Sequence, residues 1–263
     1  MARIRMLVSY DGTDFCGWQK QMAHKHAPEK PSLQETLEKA LEQIFRTPID
    51  LSASGRTDAG VHAVGQVCHF DIPEDRKIPK DLCWALRGHL PDSISPKAVW
   101  LAPRQFHSTI SAYKKTYKYW IWNHHRPPAL LARYSWWIRR DLDIDKLNAL
   151  AAHLVGEQDF ASFKSVGTEV KHTVRTIHVA RWSWRRPGLL EFEVTGSGFM
   201  KQMVRNMVGT QVELVQKGQP VEKIKEMIEY RDRQKSGPAA PAQGLFLRRV
   251  YYPKALDSQC RKL

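Results

Sequence analysis

Residues 52 to 71, SASGRTDAGVHAVGQVCHFD, constrain the fold more than any other stretch of the chain. Glycines at 55, 60 and 65 punctuate it, and Cys68, Phe70 and Ile72 then alternate as a strand. A glycine-bounded turn adopts backbone conformations closed to other residues and brings a side chain close to a ligand. Inside the turn sit Arg56, Thr57 and Asp58, and His62 and His69 follow. A solvent loop requires neither the acid nor the arginine. The plain reading is a structural turn in which Asp58 bonds nearby amides or pairs with Arg56. The other reading is a carboxylate presented for chemistry.

The pattern around this block alternates strands and helices. Ile4, Met6, Val8 and Tyr10 alternate, so the opening segment reads as a strand and not as a signal peptide. Ser32 and Glu35 form an S-x-x-E capping box ahead of Leu33, Leu37, Leu41 and Ile44, which share one helix face. The segment KDLCWALRGHLP reads as a short helix. Further on, TYKYWIWN reads as a strand and LDIDKLNALAAHLVG as a helix capped by Asp143 or Asp145. VRTIHVARWSW and LLEFEVTGSGF read as strands joined by the turn RRPG. A Met/Val-faced helix ending at Gly218, a helix after Pro220 and the strand GLFLRRVYY complete the chain. This order predicts an α+β fold of two halves with largely antiparallel sheets, divided into residues 1–105 and 106–263.

Charge points to a partner. The 263 residues carry 41 Lys and Arg against 27 Asp and Glu, a net of +14. Residues 1–105 hold 14 basic and 13 acidic groups; residues 106–263 hold 27 and 14. An excess this one-sided favours a polyanion, because each neutralised phosphate releases counterions. The four cysteines form no C-x-x-C pair and the eleven histidines have no zinc spacing, so a reduced, metal-free protein in the cytoplasm is expected. No apolar run is long enough for a membrane span.

Tyr117 and Tyr119 face one side of their strand, and Trp120 and Trp122 the other. With Lys114, Lys115 and Lys118 beside them, the tyrosines suit stacking on an unpaired base, or equally an aromatic core. For the tryptophans the core is the preferred reading. Arg205 borders the apolar face of its helix, where it reads as an edge arginine or the partner of a carboxylate.

Together and in this order, these stretches resemble the TruA-type tRNA pseudouridine synthase family. The resemblance runs from VSYDGTDFCGWQKQ through SLQETLEKAL, SGRTDAGVHAVGQVCHF, FHSTISAYKKTYKYWIWN and GEQDFASF to GSGFMKQMVRNMVG and GLFLRRVYY. The GRTDAGVHA block is highly specific to the family. The resemblance implies a pseudouridine synthase fold, with two related α/β halves, antiparallel sheets and a central active-site cleft. It implies isomerisation of uridine to pseudouridine at positions 38, 39 and 40 of the tRNA anticodon stem-loop, by a homodimer that needs no cofactor and no metal. By the same resemblance Asp58 is the catalytic aspartate and Tyr117 stacks on the target base. Arg205 pairs with the aspartate, and Arg56 helps displace the base.

Three departures stand out. Thr109 replaces an arginine common in the family, the segment 22–31 is longer than the usual link, and the tail after Tyr252 matches no family feature. Two other classes fit less well. A non-catalytic RNA-binding module explains the charge and the tyrosines but not the acid in the glycine loop. A glycosidase needs paired carboxylates, and only Asp58 has a clear motif.

Overall fold

The computed structural model describes residues 1–20, 30–167 and 170–263. Most of the long segment at 22–31, with His24 and His26, therefore lies outside the described residues. The chain divides into two compact units, Met1–Tyr113 with Leu247–Leu263, and Lys114–Phe246.

The first unit opens with β1 (Ala2–Tyr10), α1 (Leu33–Phe45), β2 (Ser52–Ala53), β3 (His62–Ile72), α2 (Leu82–Arg87) and β4 (Ile94–Ala102). The second contains β5 (Lys114–Asn123), β6 (Trp136–Ile138), α3 (Ile144–Ala152), β7 (Gly156–Asp159), β8 (Val174–Arg186), β9 (Leu189–Gly196), α4 (Met203–Gln216) and α5 (Lys223–Glu229). Along β10 (Leu245–Tyr251) the chain returns to the first unit, which α6 (Lys254–Asp257) and β11 (Arg261–Lys262) complete.

The expected boundary at 105/106 differs from the observed one. Residues 106–113 and the last 17 residues pack with the first unit. The reason is strand pairing: β10 lies beside β3, and a Cβ on Gly65 would stand 2.5 Å from the Arg248 carbonyl oxygen. The redistribution also changes the charge reading. The first unit holds 19 basic and 14 acidic residues and the second 22 and 13, so the excess is shared at +5 and +9.

In the first unit the strand order is β11-β4-β1-β3-β10. β1 runs antiparallel to both β3 and β4, with Ile4 opposite Phe70 and Leu101. Ile4, Met6 and Val8 are fully buried, as the alternation requires. The strand β4 was not legible in the sequence, because Pro96 interrupts it. The register with β1 slips between Leu7 and Val8, where Val8 meets Pro96, a residue without a donor N–H. α1 starts where the capping box places it: Ser32 Oγ accepts from Glu35 N–H at 3.2 Å. Its buried face of Leu33, Leu37, Leu41 and Phe45 continues into the core through a Phe45–Phe70 ring contact at 6.1 Å. The tail that matched no family feature has a structural role. β11 pairs with β4, and Asp257 accepts from Arg5 at 2.6 Å, while the rings of Trp100, Phe106 and Tyr252 surround that guanidinium at about 5 Å.

In the second unit the order is β5-β9-β8-β7, antiparallel throughout, with β6 added parallel to β5. One face carries Tyr119, Phe192 and Trp182, all buried. α3 and α4 hold Trp182 on this face. Asn148 brackets its backbone, and its indole Nε1 donates to Gln211 Oε1 at 3.0 Å. Asp143, one of the two expected caps, accepts from Lys146 N–H at the start of α3. On the opposite face Trp120 and Trp122 are half-buried, which corrects the expectation of a tryptophan core. Their neighbours explain it: Trp120 Nε1 donates to Glu191 at 2.8 Å, and Lys118 and Arg185 bind the same carboxylate. Burial alone would raise the Glu191 pKa; these three donors bring it below the usual range.

Candidate active site

The residues singled out in the glycine block form a braced loop in the first unit. Arg56 is exposed, Thr57 buried and Asp58 half-buried. The Asp58 carbonyl accepts from Val61 N–H at 3.1 Å, closing the turn before β3. Gly17 supports the loop from the far side. It has φ +110°, and a Cβ there would stand 2.9 Å from the Thr57 carbonyl oxygen. That close approach lets Trp18 N–H donate to the same oxygen at 3.0 Å. Tyr10 Oη lies 2.8 Å from Thr57 Oγ1, and His62, also buried, accepts from Gly12 N–H at 3.1 Å. The loop thus presents one arginine and one carboxylate from a backbone fixed on both sides.

Two histidines and a threonine flank the loop. His69 Nδ1 lies 2.9 Å from Ser108 Oγ, which donates to the Ser52 carbonyl at 2.8 Å. Burial, and then the neighbouring His107 and Arg3, pull the His69 pKa down to about 4. Thr109, at the position where an arginine is common, donates to the Ala53 carbonyl at 2.6 Å. It fastens the strand leading into the loop.

Tyr117, Arg205 and Lys115 belong to the second unit. Tyr117 is 8 % exposed and meets the edge of the Phe199 ring at 5.1 Å. Tyr119 is fully buried, with its hydroxyl donating to the Pro241 carbonyl at 2.7 Å. Burial raises the Tyr119 pKa, and Arg205 pulls the other way. Both tyrosines are buried, and Tyr119 is the more completely enclosed. Lys115 shares the Tyr117 face of β5, and burial lowers its pKa to about 8. Lys118, on the other face, is bound to Glu191 and Glu193.

Arg205 is half-buried on α4. Its Nε donates to the Ala240 carbonyl at 2.7 Å, and its own carbonyl accepts from Ala240 N–H at 3.0 Å. Gly209 allows this: a Cβ there would stand 1.9 Å from the Pro238 oxygen, so only glycine lets the 237–240 segment lie against the helix. Arg233 secures the same segment through Ser236, Gly237 and Asn206.

Two features escaped the sequence reading. Gln66 has the same parity on β3 as Cys68, Phe70 and Ile72, so an amide on a core face was a signal available in the letters. The sequence marked Lys115 only as one of three lysines beside the tyrosines; its desolvation was no part of that pattern.

Comparisons with known proteins identify the family. A family model described as tRNA pseudouridine synthase matches residues 6–108 and 150–253, a span that includes Arg56, Asp58 and Arg205. The tRNA pseudouridine synthase A of Bdellovibrio bacteriovorus is 52 % identical over 265 residues, covering 99 % of this chain and 99 % of that protein. That of Maridesulfovibrio salexigens is 41 % identical, covering 96 % of this chain and 91 % of its own. That of Fervidobacterium nodosum is 40 % identical, covering 96 % and 100 %. Among the described residues no helix is long and apolar enough to cross a membrane. Matched by the family model over most of its length, and similar from end to end to these proteins, the chain belongs to the tRNA pseudouridine synthase family, a family of isomerases.

Proposed function

We propose that this protein isomerises uridine to pseudouridine in tRNA, at positions 38, 39 and 40 of the anticodon stem-loop, with Asp58 as the catalytic carboxylate. The observation that carries the reading is the loop of residues 54–61. It offers one half-buried carboxylate from a backbone held on both sides, in a chain of this family.

The reaction is redox-neutral and balances within the nucleotide. The C1′–N1 bond breaks, C1′ joins C5, the C5 proton leaves and N1 gains a proton. A carboxylate serves in such a reaction as a nucleophile toward sugar or base, or as a base toward a sugar proton. The uridine must first leave the stack. Arg56, exposed beside Asp58, suits displacement of the base. Tyr117 suits stacking, which offsets part of the unstacking cost at ~1–3 kcal/mol. Arg205, carried over from the family resemblance, is the proposed cationic partner of the aspartate. The reading includes a homodimer acting on tRNA in the cytoplasm, with no cofactor or metal.

The test is to map pseudouridine in tRNA after incubation with the protein and with Asp58→Ala. Pseudouridine at positions 38–40 with the wild type only is the expected result. Binding of tRNA without any isomerisation would instead favour a non-catalytic RNA-binding module.

A further inference from the structure

A buried polar chain that the proposed reaction does not use lies under the loop bearing Asp58. Gln66 on β3 is fully buried. Its Nε2 donates to the Gly55 carbonyl at 2.8 Å and to Tyr10 Oη at 3.4 Å. Its Oε1 accepts from Ser54 Oγ at 2.7 Å. Tyr10 Oη in turn lies 2.8 Å from Thr57 Oγ1. One amide therefore grips the backbone before Arg56 directly, and the residue after Arg56 through a tyrosine.

The chemistry of that amide is specific. Its oxygen faces a hydroxyl donor, and its NH2 faces a carbonyl and a phenol. Reversing it would set an oxygen against the Gly55 carbonyl. Glutamate at this position would do the same and add a buried charge, and an apolar side chain would leave Ser54 and Gly55 with lost partners. With Gly17 and Trp18 holding the Thr57 carbonyl from the other side, the Gly55–Arg56 and Thr57–Asp58 peptides have fixed orientations.

We infer that Gln66 is a positioning residue for the reaction: by holding Gly55 directly and Thr57 through Tyr10, it sets where the Asp58 carboxylate stands. This rests on the reading of Asp58 as the catalytic group. A carboxylate displaced by about 1 Å loses on the order of 100-fold in rate, so release of the loop is felt in the chemical step before it is felt in binding.

The experiment compares Gln66→Met, which keeps the volume and removes the hydrogen bonds, with Tyr10→Phe, which keeps the ring and removes the hydroxyl that links Gln66 to Thr57. Single-turnover pseudouridine formation at saturating enzyme, tRNA affinity and thermal melting are measured together. Gln66→Met is expected to slow the single-turnover step about 10- to 100-fold, with affinity within about threefold of wild type. Tyr10→Phe, which removes one oxygen and keeps the ring, is expected to slow it about 3- to 10-fold, with a modest fall in melting temperature for the lost buried hydrogen bonds. Gln66→Met combined with Asp58→Ala is expected to be no slower than Asp58→Ala alone. Wild-type single-turnover rates in Gln66→Met overturn the inference, as do wild-type rates in Tyr10→Phe if Gln66→Met fails to fold. So does a loss confined to affinity or to melting temperature. Should the wild type make no pseudouridine, or Asp58→Ala keep its rate, the reading of Asp58 fails first and the positioning role falls with it.

Discussion

Arg205 and Ala240 hold each other twice: the guanidinium Nε donates to the Ala240 carbonyl at 2.7 Å, and Ala240 N–H donates to the Arg205 carbonyl at 3.0 Å. The side chain is thereby aimed from two places, its own helix and a segment 35 residues away. Arg205→Lys keeps the charge but has no Nε in that position. It is expected to lose activity nearly as fully as Arg205→Ala, and to cost about 1–2 kcal/mol of stability for the lost hydrogen bond. Single-turnover rates and denaturant melts on both variants check this. A lysine variant at wild-type rate would show that charge alone is needed.

Asp58→Asn and Asp58→Ala should abolish isomerisation while leaving tRNA affinity close to wild type. The expectation rests on the basic surface, 41 Lys and Arg against 27 Asp and Glu, supplying most of the affinity through contacts spread over many residues. At least a 100-fold fall in single-turnover rate is expected for loss of a catalytic acid or base. Near-native turnover by Asp58→Ala would overturn the assignment.

Tyr117 separates stacking from proton transfer. Tyr117→Phe keeps the flat ring; Tyr117→Leu removes it. Where stacking dominates, Phe behaves like Tyr, and Leu loses roughly 1–3 kcal/mol of base binding. If the hydroxyl carries a proton, Phe loses rate at unchanged affinity. Because Tyr117 is nearly buried against Phe199, melting temperatures belong in the same experiment. A Tyr117→Leu protein with wild-type rate, affinity and stability would refute a role in either.

His69 predicts an acid limb in the stability curve. Its folded pKa of about 4 lies below the ordinary histidine value of 6.5, so the unfolded chain binds more protons between those two pH values. Stability is then full above pH 6.5 and falls as pH drops toward 4, by on the order of 1–2 kcal/mol once solvent screening is allowed for. His69→Gln, which keeps a partner for Ser108 without titrating, should flatten the dependence of melting temperature on pH in that window. An unchanged slope in the variant would assign the acid limb to other groups.

Salt gives an independent check on the partner. With a net charge of +14 shared by both units, tRNA affinity should fall steeply between low and moderate ionic strength. A salt-independent affinity would rule out phosphate contacts as its main source.

Much of the secondary structure was determined by local sequence. The Ser32–Glu35 box starts α1, Asp143 caps α3, and the Pro187–Gly188 turn joins β8 to β9, because each signal lies within a few residues of its effect. The alternation of Ile4, Met6 and Val8 likewise foretold their burial, since a strand has only two faces. The family was legible from the order of the motifs.

Other features were decided only by contacts between distant segments. That Tyr119 is wholly buried with its hydroxyl bonded follows from the Pro241 carbonyl, 122 residues away, and nothing in its local sequence pattern shows it. That Trp120 is half-buried with its indole N–H bonded follows from Glu191, which gathers Lys118 and Arg185 around it. The return of the last 17 residues to the first unit follows from the pairing of β10 beside β3 and of β11 with β4. Hydrophobic periodicity tells a side chain which face it occupies. Which buried polar group lies opposite, and which carbonyl it binds, is set by the closure of the chain, and in this protein those long-range hydrogen bonds hold Arg205 and the loop that bears Asp58.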